Sequence, residues 1–163
     1  MFFEKILEEL SIAKIKYLLI GGVAVNLHGF PRATGDLDIL ISLDATNVKK
    51  FVEMIKRLQW KPRLPVALDS FRDPKMRQSW IKEKGMKVFS VYNPKKEIEH
   101  IDVMVENYID FERSYKNKKV IPVGHIKVPV ASISDLIQLK RIAGRHRDQI
   151  DIRALIELQK IQK

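Results

Sequence analysis

Apolar positions along this chain follow two rhythms, and the switches between them mark out its elements. In residues 2–14, Phe3, Ile6, Leu7, Leu10 and Ala13 recur every three or four residues, which describes an amphipathic helix packed on a body. Tyr17-Leu18-Leu19-Ile20 is a short apolar run with strand propensity, stopped by Gly21-Gly22, where the backbone must turn sharply with no Cβ in the way. A short helix from about Val23 to His28, ended by Gly29, is predicted next, and its first N–H groups would face whatever lies beyond the glycine turn. Asp36-Leu37-Asp38-Ile39-Leu40-Ile41 then alternates acid and apolar before running apolar. On a strand, Asp36 and Asp38 project from one face while Leu37 and Ile39 project from the other.

The rest of the chain reads the same way. Asp44 or Thr46 caps a helix whose stripe is Val48, Phe51, Val52, Ile55 and Leu58, with Lys49, Lys50, Lys56 and Arg57 outside. Pro62, Pro65 and Pro74 make 61–74 a loop region with one helical turn at most, followed by a short helix from about Pro74 to Lys84 that ends at Gly85. Phe71, Met76 and Trp80 suit either the core or the cover of a nucleobase. Met86 to Tyr92 and Glu99 to Val105 form an antiparallel hairpin around Asn93-Pro94-Lys95-Lys96.

Residues 110–117 suit a short helix, and 120–123 with 126–130 a small ribbon around Gly124 whose prolines place it at a sheet edge. Ser132-Ile133-Ser134-Asp135 has the form of a capping box and starts a helix through Ala143. After Gly144, Arg147 or Asp148 opens a last helix with Ile152, Leu155, Ile156 and Leu158 on its apolar side. The fold class is α/β: a central mixed sheet flanked by helices in residues 1–130, with a C-terminal helical pair at 131–163 that packs on it.

Composition narrows the function. At 163 residues and 45% hydrophobic content the chain can bury its own core, and the lack of cysteine excludes disulfides and thiolate metal sites. Met1 to Leu10 lacks a basic leader, and no apolar stretch reaches membrane length, so a soluble cytoplasmic protein with no membrane partner is expected. The net charge of +10 is unevenly placed: residues 49–87 and 113–147 each come to +8, whereas 1–48 come to −2 and 88–112 to −4. Basic segments flanking acidic ones suit a polyanionic partner, and solubility alone is the plainer explanation. His28, His100, His125 and His146 show no metal-ligand spacing, and no nucleophile elbow is present.

The carboxylates carry the chemistry. Asp36 and Asp38 held close are costly unless a cation lies between them, and Mg²⁺ fits best because it binds one or two carboxylates plus substrate phosphates. In Ile101-Asp102-Val103-Met104-Val105 a single carboxylate interrupts an apolar strand, which costs free energy unless it is solvated, paired or metal-bound. Ile20-Gly21-Gly22, thirteen residues (Val23 to Gly35), then Asp36-Leu37-Asp38-Ile39 resembles the nucleotidyltransferase superfamily with the DNA polymerase beta catalytic fold. Arg32-Ala33-Thr34-Gly35-Asp36-Leu37-Asp38 looks most like the small proteins related to AbiE-type toxins.

That resemblance implies a nucleotidyltransferase-like sheet and transfer of a nucleoside monophosphate from an NTP to an acceptor, with pyrophosphate released. Asp36, Asp38 and Asp102 would hold one or two Mg²⁺ ions. Glu99 and Glu106 are spacing alternatives to Asp102. Gly21, Gly22, Arg32 and Thr34 would contact the nucleotide. In Lys140 to Asp151, Lys140 would reach a phosphate, with Arg145, Asp148 and Asp151 lining the site or holding Lys140; the same residues could form a surface ion-pair network. RNA, tRNA in particular, is the favoured acceptor, and an antitoxin protein a possible partner. A catalytically silent binder of nucleic acid or protein, and an enzyme acting on a small molecule such as an antibiotic, are the other classes.

Overall fold

Branched and aromatic residues cluster in six short stretches, which with the two-residue Lys61–Pro62 join one mixed sheet of seven strands among the described residues. The computed structural model describes residues 2–162; Met1 and Lys163, the outer bounds of the predicted regions, lie outside the described residues. The strands are β1 (Tyr17–Ile20), β2 (Leu37–Ile41), β3 (Lys61–Pro62), β4 (Val88–Tyr92), β5 (His100–Met104), β6 (Lys119–Val123) and β7 (Ile126–Val130). Their spatial order is β3-β4-β5-β2-β1-β7-β6. The pairs β2/β5 and β1/β7 are parallel, and the others antiparallel. β1 and most of β2 are continuously apolar because both faces of the central strands are covered, whereas β4 and β5 bury alternate residues.

The helices are α1 (Phe2–Ile12), α2 (Gly21–His28), α3 (Ala45–Arg57), α4 (Pro74–Lys84), α5 (Phe111–Lys116), α6 (Ile133–Ala143) and α7 (Asp148–Ile161). Asp44 caps α3, accepting from the Asn47 amide at 2.8 Å, and Ser132 caps α6, accepting from the Asp135 amide at 3.1 Å. The second half of the capping box is not made, since the Asp135 carboxylate pairs with Arg113 at 3.2 Å. Phe71 and Trp80 belong to the core, stacked on Phe89 with centroids 4.9 and 5.3 Å apart, so neither can cover a base. A 3-10 helix at Leu68–Arg72 is the one turn expected in the proline-rich loop.

Three expectations are corrected. The helix after the glycine turn begins at Gly21, two residues earlier than read from the sequence, so both glycines are helical. The ribbon supplies only one edge strand: β6 is the edge, while β7 lies inside. Pro129 is tolerated there because β7 meets β1 in register only at Leu19 and Val130, near the strand ends. The outer edge of the other side, β3, is two residues long, too short for any periodicity to show.

The C-terminal helices are tied to the loop before β2 by ions as well as by apolar contact. Leu136, Ile137, Ile152 and Leu155 belong to the same buried cluster as the sheet residues. Lys140 is buried, with Nζ 2.8 Å from Asp151 Oδ2 and 3.5 Å from Asp148 Oδ1. Arg32, from the loop ahead of β2, also pairs with Asp151, and Arg145 grips both oxygens of Asp148 at 2.9 and 3.2 Å. The Asp148 carboxyl is pushed up by burial, but hydrogen bonding and charge from Arg145, with Lys140, hold it below the ordinary range. Removing one partner of a buried set leaves a charge unpaired, which costs about 3–5 kcal/mol, whereas an exposed pair contributes about 1 kcal/mol or less. Asp151→Ala, which takes from Arg32 its ion partner and from buried Lys140 the nearer of its two carboxylates, is therefore expected to lower unfolding stability in urea by about 3 kcal/mol. Lys160→Ala, at an exposed pair with Glu157, should change it by less than about 1 kcal/mol.

Candidate active site

The strand register collects the acids. Asp38 of β2 stands opposite Asp102 of β5 in a parallel pair, with Ile20 of β1 on its other side. Neighbours in register on one face lie about 5 Å apart, so the two carboxylates share one patch of the sheet. Asp36 lies just ahead of β2 rather than within it, exposed, and meets His100 Nε2 at 2.9 Å. On the outer side of Asp102, Ser90 of β4 is its antiparallel partner, and its hydroxyl donates to Asp102 Oδ1.

The glycine turn closes the patch from above. Gly21 has φ +70°, and a Cβ on it would lie 2.2 Å from Asp38 Oδ2, so only glycine fits. A Cβ on Gly22 would lie 2.7 Å from Thr34 Oγ1 and 3.5 Å from Arg32 Nη1, which shows how closely the loop before β2 wraps the start of α2. No side chain caps α2, so its N-terminal dipole and amides face the cleft. Asn26 holds the loop in place: its Nδ2 donates to the Arg32 carbonyl at 3.0 Å, and its Oδ1 accepts from the Arg32 amide at 2.9 Å.

These elements line a cleft of about 730 Å³. Its lining carries Asp36, Asp38, Asp102, Gly21 and Gly22 together with the apolar Val88, Met104, Leu136, Leu139 and Ile142. Lys87, Arg145 and Arg147 are exposed at its rim. Burial, then the charges of Asp102 and Asp36, push the Asp38 carboxyl up to about 6, while Arg145 and Lys140 pull the other way. Three clustered carboxylates, with that of Asp38 held this far up, offer a donor set suited to a hard divalent cation.

The cleft thus brings together Asp36, Asp38, Asp102, Gly21, Gly22, Arg32, Thr34, Lys140, Arg145 and Asp148. Glu99 is held elsewhere, by Asn93 and Lys96. Lys140 faces the cleft through a buried ammonium already engaged by two carboxylates, and Arg32 is likewise engaged by Asp151. Sequence reading missed Ser90, Asn26 and His100. Ser90 and His100 could have been found by writing the β4/β5 hairpin in register and marking the face of Asp102; Asn26 gave no signal.

The fold recurs in solved structures. A lincosamide antibiotic adenylyltransferase, LnuA, bound to lincomycin, aligns at 18% identity over 96% of each chain with a TM-score of 0.63. The antibiotic-resistance factor ANT(2'')-Ia aligns at 11% identity over 94% of this chain and 80% of its own, with a TM-score of 0.59. A putative nucleotidyltransferase from Thermotoga maritima aligns at 14% identity over 95% and 90%, with a TM-score of 0.57. No curated protein matches the sequence, and no helix among the described residues is long and apolar enough to cross a membrane. The family described as "Nucleotidyltransferase of unknown function (DUF6036)" matches residues 2–162, and the chain belongs to it.

Proposed function

We propose that the cleft transfers a nucleoside monophosphate from an NTP to a hydroxyl acceptor, releasing pyrophosphate. The observation that carries this reading is the register of Asp38 with Asp102 beside a glycine turn that no other residue could form. In this reading residues 1–130 are the catalytic core and 131–163 an extension that completes the cleft. Asp36, Asp38 and Asp102 would hold one or two Mg²⁺ ions. A bound divalent ion would neutralise phosphate charge and make the acceptor hydroxyl easier to deprotonate.

The chain's own residues do the rest. The free amides at the start of α2, with Gly21 and Gly22, hold phosphate oxygens, and Arg145 and Arg147 reach them from the rim. Lys140, gripped by Asp151 and Asp148, adds positive potential and fixes α7 against the loop of Arg32. The acceptor oxygen bonds to the α-phosphorus as the bond to the pyrophosphate oxygen breaks, and the acceptor's proton passes to Asp102. Ser90 turns that carboxylate, occupying Oδ1 and leaving Oδ2 for the proton.

RNA is the acceptor that the charge placement favours. Lys87, Arg145 and Arg147 lie at the rim, within the two segments of net +8, and guide a polyanion past a site that is itself acidic. A small acceptor is the second reading, favoured by the apolar residues of the cleft lining and by LnuA and ANT(2'')-Ia, the latter solved with adenylyl-2''-tobramycin. The basic rim repels cationic compounds of that kind. The resemblance to AbiE-type toxins adds a neutralising protein partner, to be sought by co-purification from the source cell.

Asp36→Asn or Asp38→Asn should abolish labelling of RNA by α-labelled NTP in the presence of Mg²⁺. Asp38→Asn should also stabilise the metal-free protein. Because the folded-state carboxyl titrates near 6 rather than at its ordinary 3.8, its ionisation opposes folding progressively between those values and fully above them. The variant should therefore match wild type near pH 4 and be more stable by about 1–2 kcal/mol at pH 7, after allowance for partial exposure.

Asp102→Ala should lower kcat far more than it raises KM, because a proton acceptor acts in the transition state; Glu106→Ala should leave both within about threefold. Equal losses in the two variants would place the third acid elsewhere.

Retention of tRNA on the immobilised protein should be firm at about 50 mM salt and fall steeply by about 200 mM. Arg145→Glu with Arg147→Glu should weaken it. Retention that is absent at low salt, with labelling of an antibiotic instead, overturns the RNA reading in favour of the small acceptor.

A further inference from the structure

His100 has no part in the chemistry above, yet it faces the same carboxylates. It stands two residues before Asp102 on β5 and so shares that residue's face of the sheet. Its Nε2 lies 2.9 Å from Asp36 Oδ1, and Asp36, His100 and Asp102 each present a donor atom within 4.8 Å of the others. The side chain is only 17% exposed.

The other ring nitrogen decides what Nε2 can do. Nδ1 lies 3.1 Å from the Ile98 backbone carbonyl, which can only accept a hydrogen bond, so Nδ1 carries the proton and donates. In the neutral ring the lone pair is then on Nε2, aimed at a carboxylate oxygen. Two lone pairs so placed repel unless a cation takes both. Adjacent donors on an octahedral ion with bonds of about 2.1 Å lie about 3.0 Å apart, close to the observed separation of Nε2 and Oδ1. A ring N–H donated to a backbone carbonyl is also the usual support of a metal-bound histidine, because it fixes both tautomer and orientation.

We propose that His100 is a metal ligand of this site, together with Asp36 and Asp102, and that its nitrogen biases the site toward a divalent transition ion such as Mn²⁺ over Mg²⁺. Mg²⁺ prefers oxygen and water, whereas an imidazole donor adds affinity for transition ions. The inference rests on the reading of the cleft as a divalent-ion site. The competing arrangement is a doubly protonated ring acting as counter-ion to Asp36. It has the opposite consequence, since removing a positive charge from the site would strengthen cation binding.

The test is calorimetric titration of MnCl₂ and of MgCl₂ into the full chain at one pH, without nucleotide, for wild type, His100→Ala and His100→Gln. Wild type is expected to bind Mn²⁺ more tightly than Mg²⁺ by about tenfold or more. Each variant is expected to lose about tenfold in Mn²⁺ affinity while Mg²⁺ affinity stays within about threefold. The wild-type preference needs no variant, so the proposal stays testable if one fails to fold. Unchanged or tighter Mn²⁺ binding in the variants overturns it, as does an equal loss for both ions. Absence of any divalent binding by wild type would instead overturn the reading of the cleft itself, whereas Mg²⁺ binding without preference overturns only the role of His100.

Discussion

Mutual repulsion of the carboxylates at one end of β2 and β5 is the constraint on which the rest of the structure depends. Strand register sets Asp38 beside Asp102, the turn of Gly21 presses a backbone against Asp38, and Asp36 joins from just ahead of β2. Burial first, and then the charges of Asp102 and Asp36, push the Asp38 carboxyl up to about 6, at a cost of about 1–2 kcal/mol against folding at neutral pH. Such strain persists only where the surroundings over-determine the geometry. Here the central strands are buried on both faces, and slipping the register by one residue would turn Leu37 and Ile39 out of the core.

Cations near this patch are placed so as to moderate the repulsion without ending it. Arg145 and Lys140 lower the Asp38 carboxyl through space, but their short contacts go to Asp148 and Asp151. A direct ion pair with Asp38 or Asp102 would fill the oxygens that the proposed reaction leaves for a cation and the acceptor's proton. The two buried aspartates of α7 therefore act as anchors for basic groups. They draw Arg32 and Lys140 into fixed positions, and the positive field that remains falls where phosphates would enter. Buried ion pairs are poor contributors to stability compared with apolar packing, so their value here is positional.

Local pattern made the sheet end legible, and distance in sequence hid its supports. Gly-Gly followed by alternating acid and apolar residues is a short-range signal, and Asp102 stood out as a lone charge in an apolar strand. The five long helices among the described residues, and the caps of three of them at Asp44, Ser132 and Gly85, were likewise readable, since a cap is a matter of a few residues. The pairs that complete the site are not local: Asp36 and His100 are 64 residues apart, and Arg32 and Asp151 are 119 apart. Their residue types are ordinary until the topology brings them together. The start of α2 was misjudged because glycine weakens a helix in isolation, whereas here the close approach of Asp38 and Thr34 demands it.

In the proposed reaction, catalytic geometry and acceptor choice are carried by different parts of the chain. Asp38 and Asp102 sit on strands whose register the core enforces, so they can change only together with the sheet. Lys87 lies just ahead of β4, and Arg145 and Arg147 lie between α6 and α7, all three exposed. Substitutions at Lys87 and Arg147 disturb no ion pair of the buried set, whereas one at Arg145 removes the bidentate partner of the buried Asp148. An acidic site must also bring in a substrate of its own sign, and basic groups at the rim supply the long-range attraction that the site lacks. Such attraction is strongest for extended polyanions and absent for cationic small molecules.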